Sequence, residues 1–280
     1  MTHKPVLLKE VLKFLDPRPN ENFIDCTIGE GGHAAAILEN IKPNGKLLGI
    51  DWDKEQFSIF NLQFSNRLIL VNDSYINLEK IVKENNFAPV NGVLLDLGFS
   101  SAQLEKSGRG FSFLKNGPLD MRYDAQNELS AEKIINSWPE KEIERILREY
   151  GEEKFSKQIA KKISQSRKIK PIKTTFELVK IIGGSYFARK TFQALRIAVN
   201  DELENLKKVL PQAVSVLSPE GRMAVISFHS LEDRIVKNFL NNLKNKDLKL
   251  LNKKPITASE SELAENPRAR SAKLRVAEKI

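Results

Sequence analysis

Cysteine occurs once in the 280 residues and histidine three times, at positions 3, 33 and 229. The lone Cys26 excludes an intramolecular disulfide framework, and one thiol with three scattered imidazoles lacks the spacing of a zinc site, so no structural metal is expected. Long apolar runs are missing too. MTHKPVLLKEVLKFL is broken by lysines, and no uncharged stretch approaches the roughly 20 residues that cross a bilayer. The expectation is a soluble, cytoplasmic protein without membrane contact. With 41% apolar residues the chain can still build a sizeable core, and 280 residues suit one large domain or one domain carrying an insert.

Acids are also scarce, in one place above all. Between Lys154 and Lys190 there are eleven basic residues and a single acid, Glu177, a net charge of +10 where the whole chain carries +9. A lysine-rich run often marks only a solvated surface, but so one-sided a charge over 37 residues is the footprint of a surface that grips a phosphate backbone. Its candidate contacts are Lys154, Lys157, Lys161, Lys162, Arg167 and Lys168. NPRARSAKLR adds a smaller cluster with Arg268 and Arg270.

Short apolar runs recur along the first hundred residues: Phe23-Ile24-Asp25, Lys46 to Asp51, Arg67 to Val71 and Gly92 to Leu97. Polar, helix-compatible stretches separate them, the signature of a parallel sheet covered on both faces. From about Leu104 to Lys190 the reading becomes helical. Ser137 with Glu140 predicts a capping box ahead of Ile143, Ile146, Leu147 and Tyr150; Phe155, Ile159 and Ile163 continue an apolar stripe; Thr174 with Glu177 caps a helix that Gly183-Gly184 stops. Strands and helices alternate again at the end, with a helix over Asp201 to Leu217, a strand over Gly221 to Phe228, a helix over Leu231 to Leu243 and a strand over Ala272 to Lys279. TFQALRIAVN, residues 191–200, suits strand and helix equally. The expected organisation is an α/β domain formed by 1–104 and 191–280, interrupted by a basic helical substrate-recognition domain at 105–190.

After the first predicted strand, DCTIGEGGHAAAIL places Gly29, Gly31 and Gly32 in a turn before a helix. Gly29-x-Gly31-x-x-Ala34 with Asp51 22 residues on satisfies the dinucleotide fingerprint. Two adenosine cofactors compete, since Asp51 would serve the ribose of either. Asp25 separates them. A carboxylate just before the glycines repels a pyrophosphate but favours the sulfonium and ammonium groups of S-adenosylmethionine, as does Glu30. Tyr75, in Asn72-Asp73-Ser74-Tyr75 after the third strand, is placed either beside an adenine or in an ordinary surface turn. Asp96 ends the fourth strand, where a doubly wound sheet meets its ligands.

The blocks HKPVLLKEVL, DCTIGEGGHAA, LLDLGFSSAQL, GRGFSF, GPLDMR, YGEEKFSKQIA, TFQALRIAVNDELENL, ISFHSLEDRIVK and ENPRARSAKLR, in this order, strongly resemble the bacterial 16S rRNA cytosine-N4 methyltransferases (RsmH/MraW). The resemblance spans His3 to Ala277. It implies a Rossmann-like class I S-adenosylmethionine-dependent methyltransferase with an inserted helical domain. The implied partner is 16S rRNA in the small ribosomal subunit or a late assembly intermediate, methylated on the exocyclic N4 of a decoding-region cytidine. It also implies cofactor contacts at Gly31, Gly32, His33, Asp51, Tyr75, Asp96 and Gln103. Tyr75 stands where phenylalanine is usual, and Phe99 and Ala102 replace a valine and a proline.

Transfer from a sulfonium is an in-line displacement that needs no protein nucleophile, unlike C5 methylation of cytosine. Asp96 is the candidate acceptor for the amine; a purely cofactor-binding role is an equal alternative. His229 and Asp233 in SFHSLED either shape the substrate side of the cleft or pack the end of a strand, and no nucleophile elbow supports a hydrolase triad. Arg109 and Arg122 hold either RNA phosphates or internal ion pairs. A DNA or other RNA amino methyltransferase, or a catalytically silent assembly factor, is the alternative function.

Overall fold

The computed structural model describes residues 4–52, 66–98 and 108–280, grouped in two compact units: Met1–Gly98 with Leu203–Ile280, and Phe99–Glu202. The described elements begin with α1 (Leu8–Leu15), β1 (Phe23–Asp25), α2 (Gly32–Asn40), β2 (Leu47–Asp51), β3 (Leu68–Asn72), α3 (Leu78–Glu84) and β4 (Gly92–Asp96). Five helices follow: α4 (Ala131–Ser137), α5 (Glu140–Glu149), α6 (Ser156–Ile169), α7 (Thr175–Ile182) and α8 (Ser185–Asn200). The chain closes with α9 (Glu202–Val216), β5 (Arg222–Ser227), α10 (Ser230–Leu243), β6 (Leu248–Leu250), α11 (Glu260–Glu265) and β7 (Lys273–Lys279).

The first unit holds a sheet in the order β3-β2-β1-β4-β5-β7-β6, parallel except for β7, which runs antiparallel to β5 and β6. Its central strands are apolar on both faces because both are covered. Alternate residues feed separate cores: Ile24, Leu48, Ile50, Val93 and Val225 pack with Leu78, Leu206, Leu210 and Val236. Phe23, Leu47, Leu94 and Ala224 pack instead with Val11, Leu15, Ile37 and Leu38. This is the predicted doubly wound sheet, with β2, β4 and β5 within a residue or two of their expected ends.

The second unit is a helical body around Ile134, Ile143, Ile146, Ile159, Ile163, Leu178 and Leu195. The Thr174–Glu177 capping box before α7 is present, and Gly183 ends the helix in a left-handed conformation. The structure decides residues 191–200, which the sequence leaves open between strand and helix, and corrects three expectations: the end of the insert, the Ser137 cap and the place of Phe155. Residues 191–200 are helical, forming most of α8, because Ala188, Phe192, Leu195 and Val199 repeat at helical spacing into this core; burial overrides their β-branched propensity. For that reason the insert extends through Glu202 and does not stop at 190. Ser137 does not cap α5. It is the last residue of α4, with its hydroxyl donating to the Lys133 carbonyl, while Pro139 precedes α5 and Ser130 caps the unpredicted α4. Phe155 lies outside the apolar stripe of α6 and is 44% exposed.

Candidate active site

All five parallel strands end in a polar residue: Asp25, Asp51, Asn72, Asp96 and Ser227. A doubly wound sheet binds ligands at this carboxyl edge where the strand order reverses, here between β1 and β4. The chain leaving β1 is pinned to both neighbours, with the Cys26 N–H donating to the Leu94 carbonyl (2.9 Å) and the Ile28 N–H to that of Ile50 (3.1 Å). Gly31 then adopts a left-handed φ of 76° ahead of α2. Gly32 is demanded by close approach, since a Cβ there would lie 2.4 Å from the Pro5 ring.

The candidate side chains meet around this turn. Asp51 Oδ2 accepts the Gly29 N–H at 3.0 Å, joining the ribose-type acid to the glycines. The buried His33 ring has Nε2 2.9 Å from the Val6 carbonyl, which can only accept, so the proton resides there; Nδ1 faces Asp96 Oδ2 at 3.5 Å. Asp25 is buried, with Oδ1 accepting the Thr27 N–H at 3.1 Å. Burial pushes its carboxyl up to about 7 against the pull of the Thr27 bonds, with the Asp51 charge adding to the rise. Burial likewise pushes Asp96 well above the usual carboxylate range, helped by the charges of Asp25 and Glu232. Asp96 Oδ1 is buried and has no hydrogen-bond partner among the described residues.

This donor set fits a cation. Carboxyl groups crowded at one sheet edge, two of them held toward their neutral forms, are relieved by a sulfonium or ammonium and aggravated by a pyrophosphate. Asp25, Asp51 and Asp96 are therefore suited to S-adenosylmethionine. Tyr75 lies beyond the end of β3 with its ring half-buried against the core. Gln103 and Phe99 lie outside the described residues. Cys26, the chain's only thiol, is buried, and burial together with Asp25 holds it protonated, so no thiolate is at hand for attack on a cytosine ring.

Other candidates separate into exposed cations and internal ties. Lys154, Lys157, Lys161, Lys162 and Lys168 are exposed on and beside α6, as are Arg268 and Arg270 on the single turn Pro267–Ser271 of the first unit. Arg167 departs from expectation: its guanidinium donates to the Ile135 carbonyl at 2.8 Å, joining α6 to α4. Arg122 forks onto Asp120 (2.6 and 3.0 Å) and reaches the carbonyls of Ala125 and Asn127, and Arg109 holds those of Arg122 and Tyr123, so both are internal ties. His229 caps α10 through Nδ1 in a box with Glu232. Asp233 pairs with Arg275 (2.7 Å) and Lys273 (3.2 Å); burial alone would raise its carboxyl, but these cations hold it below its ordinary value.

Two contributors were not anticipated. Thr27 joins Asp25 to Asp96, and only its place two residues after an aspartate, an Asx-turn spacing, hints at this. The arm Lys4–Leu7 delivers Pro5 and Val6 to Gly32 and His33 and is itself held by Glu262, which accepts the Leu7 N–H (2.6 Å), and by Asn266, which donates to the Lys4 carbonyl (3.1 Å).

The MraW methylase family matches residues 1–280. Among similar proteins, the ribosomal RNA small subunit methyltransferase H of Heliobacterium mobile is 45% identical over 308 residues, covering 99% of each chain. The protein of the same name from Halothermothrix orenii is 44% identical, covering 100% of this chain and 99% of its own. The solved structure of a putative rRNA-methylase from Clostridium thermocellum matches with a TM-score of 0.50 at 14% identity over 100% of both chains, a likeness of fold alone. Sheet order, cofactor-type carboxyl edge and whole-length similarity agree: the chain belongs to the MraW methylase family and has the Rossmann-like fold of the class I methyltransferases that use S-adenosylmethionine.

Proposed function

We propose that the protein methylates the exocyclic N4 of a decoding-region cytidine in 16S rRNA, acting on the small ribosomal subunit or a late assembly intermediate. The observation that carries this reading is Asp96 Oδ1, a buried carboxyl oxygen with no partner among the described residues, at the carboxyl edge of the sheet. The names of the relatives from Heliobacterium mobile and Halothermothrix orenii support small-subunit ribosomal RNA as the substrate class.

S-adenosylmethionine, when bound, supplies an electrophilic methyl group on a positively charged sulfur. The chain's residues position the reactants and manage charge. Asp51, fixed by the Gly29 amide, receives the ribose hydroxyls; Gly31, Gly32 and His33 form the wall beside it; Asp25 offsets the positive charge. The cytosine N4 lone pair is delocalised into its ring. Asp96 acts as the carboxylate, the form that a neighbouring cation favours over the neutral one: its Oδ1 accepts an N4–H hydrogen bond, localising that lone pair on nitrogen, and then takes the proton that the amine sheds after methylation. Lys154, Lys157, Lys161, Lys162 and Lys168, with Arg268 and Arg270, supply the salt-sensitive grip on the RNA backbone, while the base itself must be flipped out to be reached.

Labelled S-adenosylmethionine incubated with small subunits, naked 16S rRNA and DNA tests the assignment. Label is expected in small subunits; label confined to DNA, or no transfer to any of the three, overturns it.

A further inference from the structure

We infer that Phe155, Tyr186 and Phe187 form a stacking platform for unpaired RNA bases on the second unit, an inference that rests on the rRNA reading above. Phe155 immediately precedes α6, and Tyr186 and Phe187 lie in the first turn of α8 after Gly183-Gly184. The three rings meet in a chain. Phe155 and Phe187 have centroids 5.6 Å apart at 81°, and Tyr186 and Phe187 5.0 Å apart at 90°. Phe187 is the anchor, packed against the helical core, while Tyr186 and Phe155 turn outward with 82% and 44% of their surface exposed.

Positive charge lies beside the rings. A Cβ on Gly183 would stand 3.5 Å from both Lys162 Nζ and the edge of the Phe187 ring, so ammonium and ring flank the same glycine. Lys154 adjoins Phe155 in the chain, and the stretch from Lys154 to Lys190 holds eleven cations against one acid. Exposed aromatic faces interleaved with lysines are the composition of a surface for single-stranded nucleic acid, in which the cations follow the backbone and the rings receive bases. A duplex hides its base faces, and an acidic protein surface would satisfy the lysines but leave the rings unused. The lysines thus supply affinity for any backbone, and the rings restrict it to RNA whose bases are open.

The test uses the full chain, a fluorescently labelled unpaired RNA decamer and a duplex of the same sequence, with affinity measured by anisotropy over a salt series. Tyr186→Ala and Phe155→Ala should each weaken single-strand binding by at least about fivefold, leave duplex binding almost unchanged and keep the slope of log affinity against log salt, because stacking releases no counterions. Tyr186→Trp should restore affinity, and its added indole emission should be quenched by the single strand. Unchanged single-strand affinity in both alanine variants overturns the inference, as does equal loss on duplex. A wild-type dimer in sedimentation that Tyr186→Ala splits would also overturn it, assigning the rings to a second copy of the chain. Methyl transfer by the wild type to small subunits separates the two readings. Its absence sinks the rRNA assignment, whereas its presence with an unaltered KM for subunits in Tyr186→Ala sinks the platform alone.

Discussion

The Thr27 hydroxyl accepts the backbone N–H of Asp96 at 2.7 Å, across 69 residues of sequence, and lies 3.4 Å from Asp25 Oδ1. One small side chain therefore sets the end of β4 relative to the end of β1. Thr27→Val keeps the shape, orphans the Asp96 amide and removes one bond to Asp25. It should cost about 1–3 kcal/mol of stability and weaken cofactor binding, by thermal melting and calorimetry; an unaltered dissociation constant would show that the link does not organise the site.

Asp25 should make cofactor binding pH-dependent. A cation beside it favours the ionised carboxylate, so affinity for S-adenosylmethionine should rise as pH climbs toward about 7 and flatten above. In the ligand-free protein the sign reverses. A carboxyl raised from 3.8 to about 7 on folding stabilises the fold most below 3.8, and that contribution is lost as pH rises through about 7. Asp25→Asn should flatten both profiles, measured by calorimetry and melting over the same pH series.

Cofactor and RNA binding should separate by mutation. Asp51→Ala removes the acceptor of the Gly29 amide and the acid expected at the ribose, so cofactor affinity should fall at least about tenfold while RNA affinity stays. Replacing Lys157, Lys161 and Lys162 together by alanine should do the opposite, lowering RNA affinity and reducing the salt slope by roughly 2–3. Calorimetry and anisotropy on both variants decide; a coupled loss would refute the separation.

Asn200 is a structural prediction in the second unit. Buried at the end of α8, it accepts the Tyr123 N–H (2.8 Å) and donates to the Met121 carbonyl (2.8 Å), tying the 120–127 loop to that helix. Asn200→Ala should cost about 2–3 kcal/mol, read as a lowered melting temperature.

The sheet was legible because its strands are continuous apolar runs, and a residue buried on both faces leaves no polar alternation to confuse it. Asp25, Asp51 and Asp96 could be singled out because acids at the ends of such strands have few structural reasons to be there. Residues 191–200 were ambiguous locally, since only the distant partners of Phe192 and Leu195 decide in favour of helix. Arg167 reads like its lysine neighbours until the Ile135 carbonyl is seen to occupy it. The Pro5–Gly32 and Val6–His33 contacts were invisible for the same reason: nothing in either segment announces the other.

Nucleoside analysis of small-subunit rRNA methylated by the purified enzyme tests the central claim most directly. Digestion to nucleosides followed by mass spectrometry should find the new methyl group on cytidine N4, with the product abolished by Asp96→Ala in a protein that still melts cooperatively. A methyl group on cytosine C5 or on the ribose, or full N4 methylation by Asp96→Ala, would contradict the account.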